Sequence, residues 1–385
     1  MNSSALLFWI ALLLLGYTYL GYPALLWARD ALRPRPIRPQ GIAPAEPPVS
    51  VLVVGHNEAE RIEERLRNLL SLDYPQARLE IVLASDGSTD DTVERARAYE
   101  PAGVKVFAFE SRRGKPAVLN ALIPKMQGEI IVLADARQRF EPKTLRVLVG
   151  AFADPQVGAV SGELMLTPAA KDGMIGEGVG AYWRYEKFIR RHESRVDSTV
   201  GATGAIYAIR RDLFEPTPED TILDDVLIPI RIARRGYRVL FEPGARAWDR
   251  AAATPREEFT RKVRTIAGNF QLFARESWLL NPFHNRLWLQ TISHKGLRLL
   301  SPVLLMTAFW ANCLLTANPL YRAALGGQVL FYAAALGGYV LRHAHRSLPI
   351  LSVPYMFCLL HWATVVALFR FVTGGQSVMW ERVSR

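Results

Sequence analysis

Three short apolar runs in this chain each end abruptly in polar side chains. Residues 49–55 (Val49-Ser50-Val51-Leu52-Val53-Val54-Gly55) open onto His56-Asn57-Glu58. Residues 79–84 open onto Ser85-Asp86-Gly87-Ser88-Thr89-Asp90, and residues 130–134 lead into Asp135-Ala136-Arg137. Runs rich in β-branched residues read as strands buried on both faces of a parallel sheet. Open α/β sheets place their ligands just beyond the carboxyl ends of such strands. Three strands delivering polar groups to one edge therefore predict a site as well as a fold.

The rest of the central region supports an α/β class. Helices are predicted over 57–72, 90–99 and 116–126, alternating with strands at 79–86, 104–109 and 130–135. This βαβαβαβ alternation predicts a mostly parallel sheet. Another helix is expected after Pro142, then a strand over 157–166 and a helix over 182–192. A glycine-bearing turn and strand follow over 201–211, then a helix from Leu223-Asp224-Asp225 to 235, a strand over 237–242 and a basic amphipathic helix over 255–273.

Residues 5–27 are almost uncharged, and 299–317, 324–341 and 349–371 are similar. A spanning helix needs about 20 such residues. The first stretch is too long for a signal-peptide core and lacks a basic start, so it reads as a retained anchor. The expected organisation is an N-terminal anchor over 1–28, a proline-rich linker over 29–48 and an α/β domain over 49–275. An interfacial segment over 276–298, a membrane region over 299–372 with about three apolar segments, and a tail over 373–385 follow. Arg29, Arg33, Arg35 and Arg38 directly after the anchor place the α/β domain in the cytoplasm by the positive-inside rule. One anchor plus three later spans would put Arg382 and Arg385 outside, against that rule, which leaves room for one C-terminal stretch to be re-entrant or interfacial.

The net charge of +11 does not make this a nucleic-acid-binding chain, because the basic residues cluster beside the membrane and on the helix from 256 to 264. Anionic lipid and a phosphorylated substrate account for it. Cys313 and Cys358 both lie in apolar stretches and form neither a disulfide framework nor a metal site.

Several residues carry chemistry. Asn57, Glu58 and Asp86, just past the first two strands, suit a base-and-ribose pocket, although Asp86-Gly87-Ser88 is also ordinary turn chemistry. Arg112-Arg113-Gly114-Lys115 offers charge and backbone NH groups to phosphate at a helix start; the alternative is a solvated charge run. Asp135 suits a divalent cation such as Mg2+ or Mn2+ bridging two phosphates, or else a helix cap. Asp224 and Asp225 diverge by about 100° along a helix, so one suits a general base while the other caps the helix. Arg261 and Arg264 share a helix face and could clamp a departing diphosphate, or simply sit beside the membrane.

In this order, these segments resemble the membrane-bound family 2 inverting glycosyltransferases with a GT-A fold, of the bacterial exopolysaccharide and cell-surface polysaccharide type. The resemblance covers about residues 49–275 and includes Gly114-Lys115-Pro116-Ala117-Val118-Leu119-Asn120 and Gly201-Ala202-Thr203-Gly204. It implies that Asn57, Glu58 and Asp86 bind the nucleoside, that Lys115 lies near the nucleotide, and that Asp135 is the first aspartate of a DxD metal motif. It also implies that Asp225 is the catalytic base beside Asp224, that Gly201, Thr203 and Gly204 face the acceptor, and that Arg264 matches the arginine of a QxxRW motif.

The chain departs from that pattern twice. Arg137 stands where DxD has its second aspartate, and Arg261-Lys262-Val263-Arg264-Thr265 lacks the glutamine and tryptophan of QxxRW. The implied activity is sugar transfer from a nucleotide-sugar, such as a UDP-sugar, to a lipid-linked or glycan acceptor at the bacterial inner membrane. Implied partners are membrane lipids and other polysaccharide-synthesis proteins. Arg137, as a cation among ligands, would also suit the leaving diphosphate directly. The alternative from another class is a non-catalytic membrane scaffold that keeps a nucleotide-binding fold to dock a synthase complex.

Overall fold

The computed structural model describes residues 2–38, 46–167, 174–250, 255–343, 348–377 and 379. Residues 39–45 of the proline-rich linker, and Arg382 and Arg385, lie outside the described residues. The chain forms two compact units. One comprises Arg33–Thr167, Arg190–Ala251 and Ser377–Arg385; the other comprises Met1–Leu32, Pro168–Ile189 and Ala252–Gln376.

The first unit is built on eight strands: β1 (Val49–Gly55), β2 (Leu79–Asp86), β3 (Val104–Phe109), β4 (Ile130–Asp135), β5 (Arg139–Phe140), β6 (Val157–Thr167), β7 (Ile206–Arg210) and β8 (Arg238–Arg250). Their order across the sheet is β3-β2-β1-β4-β7-β6-β8-β5. The first four pair in parallel, as the alternation predicts. Beyond β4 the sheet is mixed, with β7 antiparallel to both β4 and β6, β8 parallel to β6, and β5 antiparallel to β8. Val51, Val53, Leu83 and Val132 are fully buried, which removes their apolar surface from water and drives the sheet together. Parallel pairing brings Val54 of β1 opposite Asp135 and Gly55 opposite Ser85, so the polar ends of three strands meet at one edge.

Two elements differ from expectation for identifiable reasons. The helix expected over 57–72 occupies Ile62–Leu70. Asn57 adopts a left-handed φ of 56°, tolerated because its short amide bonds locally, and this breaks the helix start. Its Oδ1 accepts from Thr89 N at 2.8 Å and its own N donates to Ser88 Oγ at 3.0 Å, so the β1 loop is stitched to the β2 loop. The late strand expected over 237–242 runs instead from 238 to 250. Pro243 cannot donate to a ladder, so pairing jumps from Gly162↔Glu242 to Glu163↔Arg246 around a bulge and then resumes. The extension reaches the segment after Asp135, where Arg139 pairs with Trp248 and Phe140 with Ala247. Asn68 fixes that segment from the other side, accepting from Phe140 N at 2.8 Å and donating to its carbonyl at 2.9 Å.

In the helical unit, four helices among the described residues are long and apolar enough to cross a membrane: Ser3–Leu32, Trp288–Cys313, Pro319–Leu341 and Ile350–Val372. The second begins at Trp288, so residues 288–298, expected in an interfacial segment, continue into an apolar helix. His294 and Arg298 are accommodated there by the buried Glu186, which His294 Nε2 approaches to 3.1 Å and with which Arg298 also pairs. Phe8 and Ala11 pack on Ala308 and Ala311. Ala363 and Ala367 of the last helix pack on Val263 and Ala267 of the amphipathic helix Pro255–Arg275, and Phe270 stacks on Phe371 with centroids 6.1 Å apart.

Gly128, just ahead of β4, has no room for a side chain. A Cβ there would lie 2.7 Å from the Ser50 hydroxyl and closer still to the Ser50 amide. Gly128→Ala is therefore expected to cost about 1–3 kcal/mol of stability, read as a lower Tm in detergent. Gly150→Ala, at the end of a helix with nothing within 4 Å, should leave Tm unchanged or raised.

Candidate active site

The site begins with Asp86 at the end of β2. Its Oδ1 accepts from Arg113 N at 2.7 Å and its Oδ2 from Gly114 N at 2.9 Å, and the residue is 4% exposed. The carboxylate therefore holds the cationic loop after β3 against the strand edge. Gly87 makes this approach possible, with φ of 64° and a missing Cβ that would lie 2.6 Å from the Ser111 carbonyl carbon. This narrows one expectation: the Arg113 and Gly114 amides are spent on Asp86 and are not offered to phosphate. His56 Nδ1 donates to the Asp86 carbonyl at 2.8 Å. Glu58 Oε2 pairs with Arg61 at 3.3 Å while its amide donates to Thr92 Oγ1 at 2.7 Å.

The same loop delivers Lys115 to the centre. Helix Lys115–Leu122 begins at this residue, with Pro116 favouring the first turn. Lys115 Nζ donates to Asp135 Oδ1 at 3.0 Å and lies 3.8 Å from Asp224 Oδ2, with 7% of its side chain exposed. Tyr207 OH on β7 donates to Asp224 Oδ2 at 3.3 Å. Burial alone would lower the Lys115 pKa, but Asp135, Asp224 and Asp225 together hold it above its ordinary value. Burial, reinforced by Asp224 and Asp225, pushes the Tyr207 phenol well upward, so it stays a neutral donor.

Asp224 and Asp225 open helix Asp224–Arg234, but neither side chain caps it, since the capping position is Leu223 and no side-chain cap bond forms. The expected division of a base and a cap is therefore replaced by another. Asp224 is buried against Lys115 and Tyr207, whereas Asp225 is partly exposed beside Gly204. A Cβ on Gly204 would lie 2.8 Å from Asp225 Oδ2. Ala202 N donates to the Asp225 carbonyl at 2.7 Å, and Gly201 adopts φ of 92°, so the 201–204 loop wraps the helix start. Thr203 is mostly committed within this loop: its N donates to Ser161 Oγ at 2.9 Å, and its hydroxyl accepts from Arg190 Nη1 at 2.7 Å.

Arg137, 33% exposed at its side chain, lies 3.7 Å from Asp249 Oδ2 near the end of β8, and Gln138 donates to the same oxygen at 2.8 Å. Asp249 is thus a functional neighbour that sequence reasoning missed, because Pro243-Gly244 reads as the end of its strand. Asp135 and Asp224 supply the hard oxygens that Mg2+ or Mn2+ prefers. Among the described residues, however, no group of three or more His, Cys, Asp or Glu could hold a metal ion alone. Asp135 and Asp224 could thus supply part of a cation's ligand set, with the remaining ligands coming from outside these residues.

A pocket at this edge is lined by Gly55, His56, Asp86, Gly114, Lys115 and, from the far end of the chain, Met379. Sequence reasoning missed Met379 as well. A signal existed: Gln376 and Trp380 have the spacing that residues 261–265 lack, with Met379 between them. Arg261 and Arg264 lie on helix Pro255–Arg275 of the helical unit, where Arg261 pairs with Glu257.

Comparison with known proteins accords with this geometry. Residues 50–217 match the family model "Glycosyl transferase family 2". The chain is 27% identical over 243 residues to the probable glycosyltransferase YdaM of Bacillus subtilis (strain 168), covering 58% of this chain and 55% of that protein. It is 24% identical over 236 residues to the poly-beta-1,6-N-acetyl-D-glucosamine synthase of Staphylococcus epidermidis, covering 60% and 56%. The match thus spans little more than half the length of these curated relatives. Among solved structures, the mannosyltransferase PcManGT from Pyrobaculum calidifontis, in complex with GDP-Man and Mn2+, superposes with a TM-score of 0.69 at 25% identity, covering 95% of this chain and 99% of that one. Residues 50–217 thus match the family 2 glycosyltransferase model, and the chain carries a GT-A fold.

Proposed function

We propose that this chain is an inverting glycosyltransferase of a bacterial inner membrane. It moves a sugar from a nucleotide-sugar, of the UDP-sugar class, to a hydroxyl of a lipid-linked or polysaccharide acceptor in surface-polysaccharide synthesis. The observation that carries this proposal is the convergence of Lys115, Asp135 and Asp224 at the sheet edge, with the more exposed Asp225 beside them. The GDP-Man and Mn2+ of the mannosyltransferase support a nucleotide-sugar donor and a divalent ion, and the polymer named for the staphylococcal relative supports a polysaccharide product.

The acceptor hydroxyl oxygen attacks the anomeric carbon as the bond to the diphosphate oxygen breaks, and Asp225 takes the hydroxyl proton. The nucleoside diphosphate leaves with the bonding electrons, and the anomeric configuration inverts. Lys115 and Arg137 set positive charge at the edge where negative charge grows on the leaving group, a form of preorganised electrostatic stabilisation. A divalent cation on Asp135 would supply further charge neutralisation to the diphosphate. Asp86 orders the cationic loop beneath the nucleotide, and Asn57 and Glu58 order the neighbouring one.

Arg29, Arg33, Arg35 and Arg38 support a cytoplasmic position for the α/β unit. Met379 lines a pocket of that unit, so the chain between 288 and 376 crosses the bilayer an even number of times. The three long helices in that interval cannot then all cross. The last, which packs along the amphipathic helix Pro255–Arg275, is assigned an interfacial course. Ser377→Cys should therefore resist an impermeant maleimide in intact spheroplasts and react after permeabilisation. Labelling in intact cells would sink this topology.

Purified protein screened against UDP- and GDP-sugars, with products read by mass, should hydrolyse or transfer from at least one donor. Failure with every donor would favour the scaffold alternative. Asp225→Asn should lower turnover by about 10²–10⁴ with nucleotide affinity little changed, as measured by calorimetry. Normal turnover in that variant would remove Asp225 as the base.

A further inference from the structure

Asp135, the carboxylate through which this site would hold a divalent cation, already holds a cation that belongs to the chain. Lys115 Nζ lies 3.0 Å from Asp135 Oδ1 and 3.8 Å from Asp224 Oδ2, and the three side chains are 7%, 11% and 11% exposed. The position two residues on, where a second carboxylate would strengthen metal binding, carries Arg137 instead. A divalent ion arriving on Asp135 would sit within a few ångströms of a buried ammonium. Little water is present to screen the two charges, and repulsion in such surroundings is strong. One buried carboxylate shared with a lysine is a poor match for that repulsion.

A nucleoside diphosphate changes the balance. Its oxygens add several negative charges and hard ligands at once, so ion and ammonium then lie on a common polyanion. We propose that Lys115 gates the metal site: it closes Asp135 and Asp224 over itself in the nucleotide-free protein and admits a divalent cation only together with the diphosphate. Lys115 is in this sense a positioning residue for the metal as well as a contact for the donor. The proposal rests on the donor-site assignment above, and it predicts strong positive coupling between metal and nucleotide, which by linkage is reciprocal.

The test is Mn2+ titration of the full chain in detergent, followed by the electron-spin resonance signal of free Mn2+, with and without saturating UDP or GDP. Binding of Mn2+ to free nucleotide is measured separately and subtracted. Nucleotide should tighten Mn2+ binding to wild type by at least about tenfold, within the range usual for coupled sites. Lys115→Met should tighten nucleotide-free Mn2+ binding by a similar factor and shrink the effect of nucleotide. Lys115→Arg, which keeps the charge, should behave like wild type, and Asp135→Asn should bind Mn2+ weakly in both conditions. Circular dichroism and Tm identify any variant that fails to fold, and Lys115→Gln then stands in for Lys115→Met.

Tight Mn2+ binding to nucleotide-free wild type would overturn the proposal. So would a Lys115→Met protein whose nucleotide-free Mn2+ affinity is unchanged. If neither UDP nor GDP binds wild type, the donor-site assignment fails, and the nucleotide-free comparison of Lys115→Met with wild type still decides the gate.

Discussion

A buried ammonium between two buried carboxylates, Lys115 with Asp135 and Asp224, is the interaction on which the arrangement of this site depends. Each of the three charges would be costly to bury alone, and removing any one leaves an uncompensated charge behind. They come from three separate elements: the start of a helix, the end of β4 and the start of another helix. The triad therefore acts as a clasp that fixes where those elements end. Tyr207, kept neutral by burial and the nearby carboxylates, closes the remaining side of Asp224.

Around this clasp, much of the polar chemistry at the strand edge serves the fold. Asp86 spends both carboxylate oxygens on loop amides, Asn57 spends its amide on the neighbouring loop, and Thr203 is bonded to Ser161 and Arg190. Buried polar groups are rarely left without partners, and in a site made of loops those partners are other loops. The result is preorganisation: groups facing a ligand are held by groups that do not. Arg137, proposed to face the ligand, is paired with Asp249 from a strand more than a hundred residues away in sequence.

Much of this was legible in the sequence. Strands β1 to β4, their parallel pairing and the cluster of polar residues at their ends follow from apolar periodicity and the position of acids after it. What was not legible depends on contacts between distant segments. Nothing local in Asn57-Glu58 says that the helix waits until Ile62; the cause lies in Ser88 and Thr89. Pro243 and Gly244 mark a strand end by every local rule, and only the partner strand β6 shows that they are a bulge. The burial of Asp224 and the partial exposure of Asp225 follow from where Lys115 and Gly204 lie, which two adjacent aspartates cannot encode.

Gly204 has a consequence of its own. The loop from Gly201 to Gly204 reads from sequence as a wall for the acceptor, and in the structure the same loop is the abutment against which Asp225 rests. Its Ala202 amide grips the Asp225 backbone, while the bare Cα of Gly204 leaves just enough room for the Asp225 carboxylate. With Asp225 as the proposed base and this loop as the proposed acceptor wall, acceptor fit and proton removal are two readouts of one loop conformation. Under that assignment, a change that reshapes this loop to admit a different acceptor also moves the carboxylate proposed to meet its hydroxyl, so acceptor preference and turnover are expected to drift together across variants.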